Sequence, residues 1–189
     1  PELLAQHYTK ALIPDKAIQY WLAAGLRALQ RSANAESISH LKHGLELIPS
    51  ITDPSRRNEY ELQLHSMIGP ALIATRGFGD TEVGETYQKA GELSQQLGDG
   101  PHLMVPLWGQ WVYNLVRNNL AKARSLSLEM KRLGSESKDT AMLVEAHWTL
   151  GNTLFWLADF PVTYDELNKA IEIYDPERHH IHAYIYGQD

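Results

Sequence analysis

His147–Ala170, HWTLGNTLFWLADFPVTYDELNKA, reads as two helices joined by a turn. Leu150, Leu154 and Leu157 share one helix face with Gly151, because apolar steps of three and four place side chains on one side. Ala158-Asp159-Phe160-Pro161 interrupts that pattern, and Thr163, Leu167 and Ala170 resume it on a second helix. Trp148, Asn152, Phe155 and Trp156 fall beside the Leu/Gly face. Whether these aromatics are core or binding surface decides how much function the sequence reveals.

The same pattern extends through the chain. In Asp15–Ser32, Ala17, Ile18, Trp21, Leu22, Gly25, Leu26 and Leu29 recur at helical spacing, with Asp15 placed as an N-cap. No segment sustains the period-two alternation of a half-buried strand. Breakers at 13–15, 31–36, 49–55, 76–81, 97–102, 117–119, 133–139, 158–161 and 174–180 leave about nine helices of roughly 12 to 22 residues. Short links between them predict antiparallel neighbours.

Gly25, Gly69, Gly109 and Gly151 recur at a nearly constant interval, inside alternate helices. An internal glycine costs about 1 kcal/mol of helix propensity relative to alanine. Four at a common position therefore predict a close approach by a neighbouring helix. Each is followed by a small or apolar position on the next helix: Ser37, Val83, Ala123 and Thr163. The intervals Gly69–Val83 and Gly109–Ala123 are longer than Gly25–Ser37 and Gly151–Thr163, and predict longer turns. A two-helix unit repeating at roughly 40 residues predicts an all-α solenoid of antiparallel pairs. The 189 residues then form one repeat domain. Its units are a leading helix over 1–13, pairs over 14–50, 55–98, 101–135 and 138–175, and the start of a further helix at 177–189.

The pairs resemble tetratricopeptide repeats. His147, Leu150, Gly151 and Leu154 match the first-helix positions of that family, and Phe160, Thr163, Leu167 and Ala170 the second-helix positions. Trp21, Ala24, Gly25 and Ala28, then Ser37, Leu41, Gly44 and Pro49, form a second match. The resemblance implies a right-handed superhelix whose concave face binds partners. Pro1–Ile48, Gly69–Asp99 and HAYIYGQD are similar to the helical-repeat region of large bacterial signalling proteins. There, a nucleotide-cyclase-like or kinase domain and a predicted ATPase module precede the repeats. By that resemblance ATP binding and cyclase chemistry belong to domains outside this chain, which is expected to be a piece of a longer, cytoplasmic protein.

Composition narrows the alternatives. Net charge is −6, pI is about 5.8 and there is no lysine/arginine cluster. Nucleic-acid binding is not expected, since that affinity rests on phosphate neutralisation by a basic face. With no cysteine, disulfides and thiolate nucleophiles are excluded. No apolar run reaches the roughly 20 residues of a membrane helix. RGFGDTEVG lacks the GK[ST] ending of a phosphate loop and reads as a turn in which glycine takes positive φ. GDGP at 98–101 reads as a helix stop and restart. There is no G-x-S-x-G elbow or H-E-x-x-H motif. His179, His180 and His182 lack a completing ligand of diagnostic spacing, and His40 and His43 are expected on a solvated face. No cofactor, metal or catalytic set is expected.

The repeat register marks a candidate binding face. Trp148, Asn152 and Trp156, with Glu145, sit on one helix, and Gln110, Tyr113, Asn114 and Arg117 on the preceding first helix. Aromatics, amides and one arginine suit a peptide or helix. The expected occupant is a protein or peptide partner, or the parent's own ATPase or cyclase domains. An alternative is a small-molecule sensor of the maltose-regulator type, with Trp108, Trp111 and Trp148 enclosing a ligand. A terminal repeat left uncovered predicts self-association.

Overall fold

The computed structural model describes residues 1–98 and 103–179. Within these residues there are ten α-helices and no strand. They are α1 (Glu2–Lys10), α2 (Pro14–Gln30), α3 (Asn34–Glu46), α4 (Pro54–Arg76), α5 (Thr81–Leu97), α6 (Met104–Val116), α7 (Leu120–Ser137), α8 (Thr140–Trp156), α9 (Phe160–Ile173) and the short α10 (Pro176–His179). The chain divides into two compact units, Pro1–Asp99 and Gly100–Asp189. In the first, each of α1 to α5 packs on its chain neighbour and α2 also touches α4. In the second, α6 to α9 pack consecutively and α6 also touches α8.

Helix starts follow local chemistry. Asp53, Asp80 and Asp139 each accept hydrogen bonds from first-turn amides of α4, α5 and α8, satisfying donors that have no intrahelical partner. Asp15 does not cap α2 as expected. Pro14 opens that helix with Ile13 at the N-cap, because proline needs no amide partner at the first position. Asp15 lies in the first turn and pairs instead with Arg56 at 2.9 Å.

Helix stops use one device repeatedly. Leu12, Ser32, Asn118, Lys138 and Ala158 adopt φ between 56° and 61°, each in a turn between consecutive helices. In the turn after α8, the Ala158 and Asp159 amides donate back to the Phe155 and Leu154 carbonyls, closing the helix end. Gly77 at φ +82° serves the α4–α5 turn, as the glycines of RGFGDT suggest, and Gly98 at φ +67° ends α5. The break expected at 133–139 is narrower than its composition implies. Gly134 stays helical within α7, and a Cβ there would lie 3.2 Å from Leu143 of α8, so the glycine admits a close approach of the next helix. Ser135 and Ser137 return their hydroxyls to the Lys131 and Leu133 carbonyls.

The glycine register has a direct physical cause. A Cβ on Gly25 would lie 2.6 Å from Leu41, and one on Gly151 2.7 Å from Leu167. Gly69 meets the ring of Tyr87 in the same way. What approaches Gly25, Gly69 and Gly151 is therefore a side chain from the second helix of the pair, a knob entering a hole. Ser37, Val83, Ala123 and Thr163 are all buried, as are Leu41, Tyr87 and Ser127 one helical turn on. The longer intervals after Gly69 and Gly109 do not come mainly from longer turns. α4 and α6 run further past their glycines, to Arg76 and Val116, than α2 and α8 do, to Gln30 and Trp156. The turn after α6 is as short as those after α2 and α8, so its extra length lies in the helix.

Candidate binding face on the second unit

α8 presents three neighbouring stripes. Leu150 and Leu154 flank Gly151 in the core. Glu145, Thr149 and Thr153, each one turn from the next, form a second buried stripe. Trp111 of α6 donates its indole N–H to Thr153 Oγ1 at 2.8 Å. Trp148, Asn152 and Trp156 form the third stripe, and burial falls along it: the first two are half-buried and Trp156 is exposed. Leu157, expected in the core, is the C-cap and largely exposed, because the helix ends before it can turn inward.

The eight face residues divide accordingly. Glu145 is only 7% exposed and offers no surface to a partner, since it belongs to the stripe packed inward. Trp148 stands edge-on to Trp111, centroids 5.1 Å apart, so a partly open ring rests on a buried one. On α6, Tyr113 and Gln110 are half-buried and Arg117 is exposed, its guanidinium 5.4 Å from the Tyr113 centroid. Asn114 is committed locally: Nδ2 donates to the Gln110 carbonyl at 2.7 Å and Oδ1 accepts from Asn119 at 2.9 Å. Asn152 Oδ1 is buried without a hydrogen-bond partner. Trp156 meets Phe155 edge-on at the far end of α8.

Trp108 and Trp111 are each 1% exposed and tilt against one another at 6.1 Å. They are core, so only Trp148 of the three proposed ligand walls has surface to give. The aromatics of His147–Ala170 are not core: Trp148 is half-buried against Trp111, and Phe155, Trp156 and Phe160 are exposed.

No family model matches the chain. The chain is 23% identical over 182 residues, 93% of its own length, to an uncharacterised protein of Rhizobium meliloti (strain 1021). It spans 17% of that protein's length.

Sequence reading missed a buried ionic network where α7, α8 and α9 meet. Glu166 accepts from Lys131 Nζ at 2.9 Å through both oxygens, and contacts His147 Nδ1 at 2.7 Å. Burial alone would raise the Glu166 carboxyl, but the hydrogen bonds from Lys131 and His147 outweigh it and hold it below the usual carboxylate range. Lys131 and His147 sit on other helices, far from Glu166 along the chain, a separation that carries no local signal. Glu166 is buried between these helices, and the network is structural. At the equivalent place in the first unit, Trp21 stacks on His40 at 5.5 Å. His40 is therefore buried, not solvated as expected, while His43 is exposed and covers the same indole at 4.9 Å.

Among the described residues, Glu2, Glu36 and His40 approach closely enough to share a cation. Arg31 already pairs with Glu36 and holds that carboxyl low, which opposes a second cation. His180, His182 and the side chain of His179 lie outside the described residues. No helix of the described residues is long and apolar enough to cross a membrane.

Proposed function

We propose that this chain is a non-catalytic interaction module, a segment of tetratricopeptide-like helical pairs that binds a peptide or a partner domain through the shared face of α6 and α8. The observations that carry this reading are the backing of Trp148 by buried Trp111 and, on α6, Arg117 laid over Tyr113. Half-open aromatic rings and arginine held on a rigid core are the composition of binding hot spots. Repeated knob-into-glycine packing supports stacking of the pairs into a solenoid, which would present such a face along its length.

The partner is a protein segment, either separate or supplied by another domain of a larger signalling protein with cyclase-like or ATPase modules. The large span of the Rhizobium protein outside the matched region is compatible with a modular parent. In such a parent, occupancy of the face shifts activity by favouring one domain arrangement.

The test is affinity capture from the source cell's lysate with the wild-type chain beside Tyr113→Ala/Trp148→Ala. Circular dichroism establishes that both are folded. Proteins retained by the wild type and reduced about tenfold or more by the double variant place binding on this face. Equal retention by both removes α6 and α8 as the binding surface.

A further inference from the structure

Residues 155–162, FWLADFPV, are all exposed, and they form the turn from α8 into α9. Phe155, Trp156 and Phe160 are 52%, 62% and 56% exposed. Their rings nevertheless form one cluster: Phe155 meets Trp156 at 5.7 Å and Phe160 at 5.9 Å, both edge-on. Leu157 and Val162 extend it. The turns after α2 and α6 are polar, Arg31-Ser32 and Arg117-Asn118-Asn119, and that after α4 carries a single exposed aromatic, Phe78. Helix pairing therefore does not require an apolar turn here. With an aromatic side chain covering about 150–250 Å², the three rings leave on the order of 300 Å² open. A contiguous apolar patch of that size matches the largest patch on a typical monomer, which is often functional.

A charge accompanies the rings. Asp159 holds the N-cap position of α9, yet its side chain accepts no hydrogen bond from the first-turn amides. No lysine, arginine or histidine lies between Phe155 and Asn168, and Asp165 adds a second exposed carboxylate. An anionic lipid surface would be repelled by this arrangement. A cationic protein segment would be attracted, with arginine also able to lie over the exposed rings.

We propose that the α8–α9 turn is a second docking surface, which seats an amphipathic helix of a partner protein carrying apolar anchors beside arginine or lysine. Anchors at steps of three and four lie across the Phe155–Trp156–Phe160 cluster. The cation beside them pairs with Asp159. This surface shares Trp156 with the α8 stripe of the first face, but Phe155, Asp159 and Phe160 lie outside that face, so Phe160→Ser tests it separately.

The test uses a synthetic Leu/Arg amphipathic helix and its Leu/Glu counterpart, with the full chain carrying Trp148→Phe, which leaves Trp156 as the one indole that is not buried. Protection of Trp156 from acrylamide quenching reports binding. The Leu/Arg helix is expected to protect it, and the Leu/Glu helix to bind at least threefold more weakly. Asp159→Lys reverses that order. Phe160→Ser, a change at an exposed position, weakens the Leu/Arg helix about tenfold while circular dichroism stays unchanged. The proposal is overturned if neither helix protects Trp156, or if Phe160→Ser leaves affinity intact. It is also overturned if phosphatidylcholine/phosphatidylserine vesicles protect more strongly, or if sedimentation shows the turn covered by a second copy of the chain.

Discussion

Gly151→Ala sets two well-measured effects against each other. In an isolated helix the change gains about 1 kcal/mol, since glycine is the poorer helix former. In this chain the new methyl would lie 2.7 Å from Leu167 Cδ2, 2.8 Å from its Cγ and 3.4 Å from its backbone nitrogen. The first two distances are shorter than any ordinary carbon contact, and the obstruction includes the branch point of the side chain as well as its tips. The Leu167 side chain must move, while its backbone nitrogen stays at ordinary contact distance. Overpacking of this kind costs about 1–3 kcal/mol, so the steric cost matches or exceeds the propensity gain. The expected net result is a loss of about 0–2 kcal/mol in urea unfolding followed by circular dichroism. Leu167→Ala alone loses less than the about 2–5 kcal/mol of a fully buried leucine, because Leu167 is only half-buried. The double variant should lose clearly less than the two losses added, because alanine at 151 fills part of the space vacated at 167. A Gly151→Ala protein more stable by about 1 kcal/mol, the full propensity gain, would refute the knob-into-glycine account.

Three further outcomes follow from particular groups. Ala158→Gly should stabilise by about 0.5–1 kcal/mol in the same assay, because Ala158 holds φ +61° at an exposed turn and glycine adopts that conformation freely. Glu166→Gln should cost about 1–3 kcal/mol at neutral pH, a value reduced from the fully buried case because Lys131 is partly solvated. The Glu166 carboxyl sits below its ordinary value, so its contribution is complete above about pH 4.3 and is lost as pH falls through the lowered value. The variant should therefore show a flatter acid limb. His65 is pushed the other way: burial lowers its pKa, and its Nδ1 has no hydrogen-bond partner. Below about pH 6.5 the unfolded chain takes up a proton that folded His65 resists, so stability falls with pH by up to about 1.4 kcal/mol per unit. His65→Leu should remove that slope in unfolding measured between pH 7 and 5.

The helices and their pairing were legible because both rest on local signals. Apolar steps of three and four fix the faces, and glycine inside a helix is costly enough to require a packing reason, which Leu41, Tyr87 and Leu167 supply. Turn geometry was less legible. Among the described residues five non-glycines take positive φ, and nothing in the identity of Leu12 or Ala158 announces it. The face was read in part. Helical periodicity put Trp148, Asn152 and Trp156 on one stripe, but Glu145 lies across the boundary of the buried stripe, where small errors of register matter most. The Lys131–Glu166–His147 network could not be read at all, since its members meet only once three helices are packed.

The indole N–H signals of the five tryptophans, recorded by NMR while a partner captured by the wild type is added, test the central claim most directly. Binding on the α6–α8 face predicts that Trp148 shifts, while Trp21 and Trp108, buried in the core, stay in place. Trp111, which touches both Trp148 and Thr153, should shift only slightly. If the partner binds and Trp148 does not respond, the face of α6 and α8 is not where this protein meets its partner.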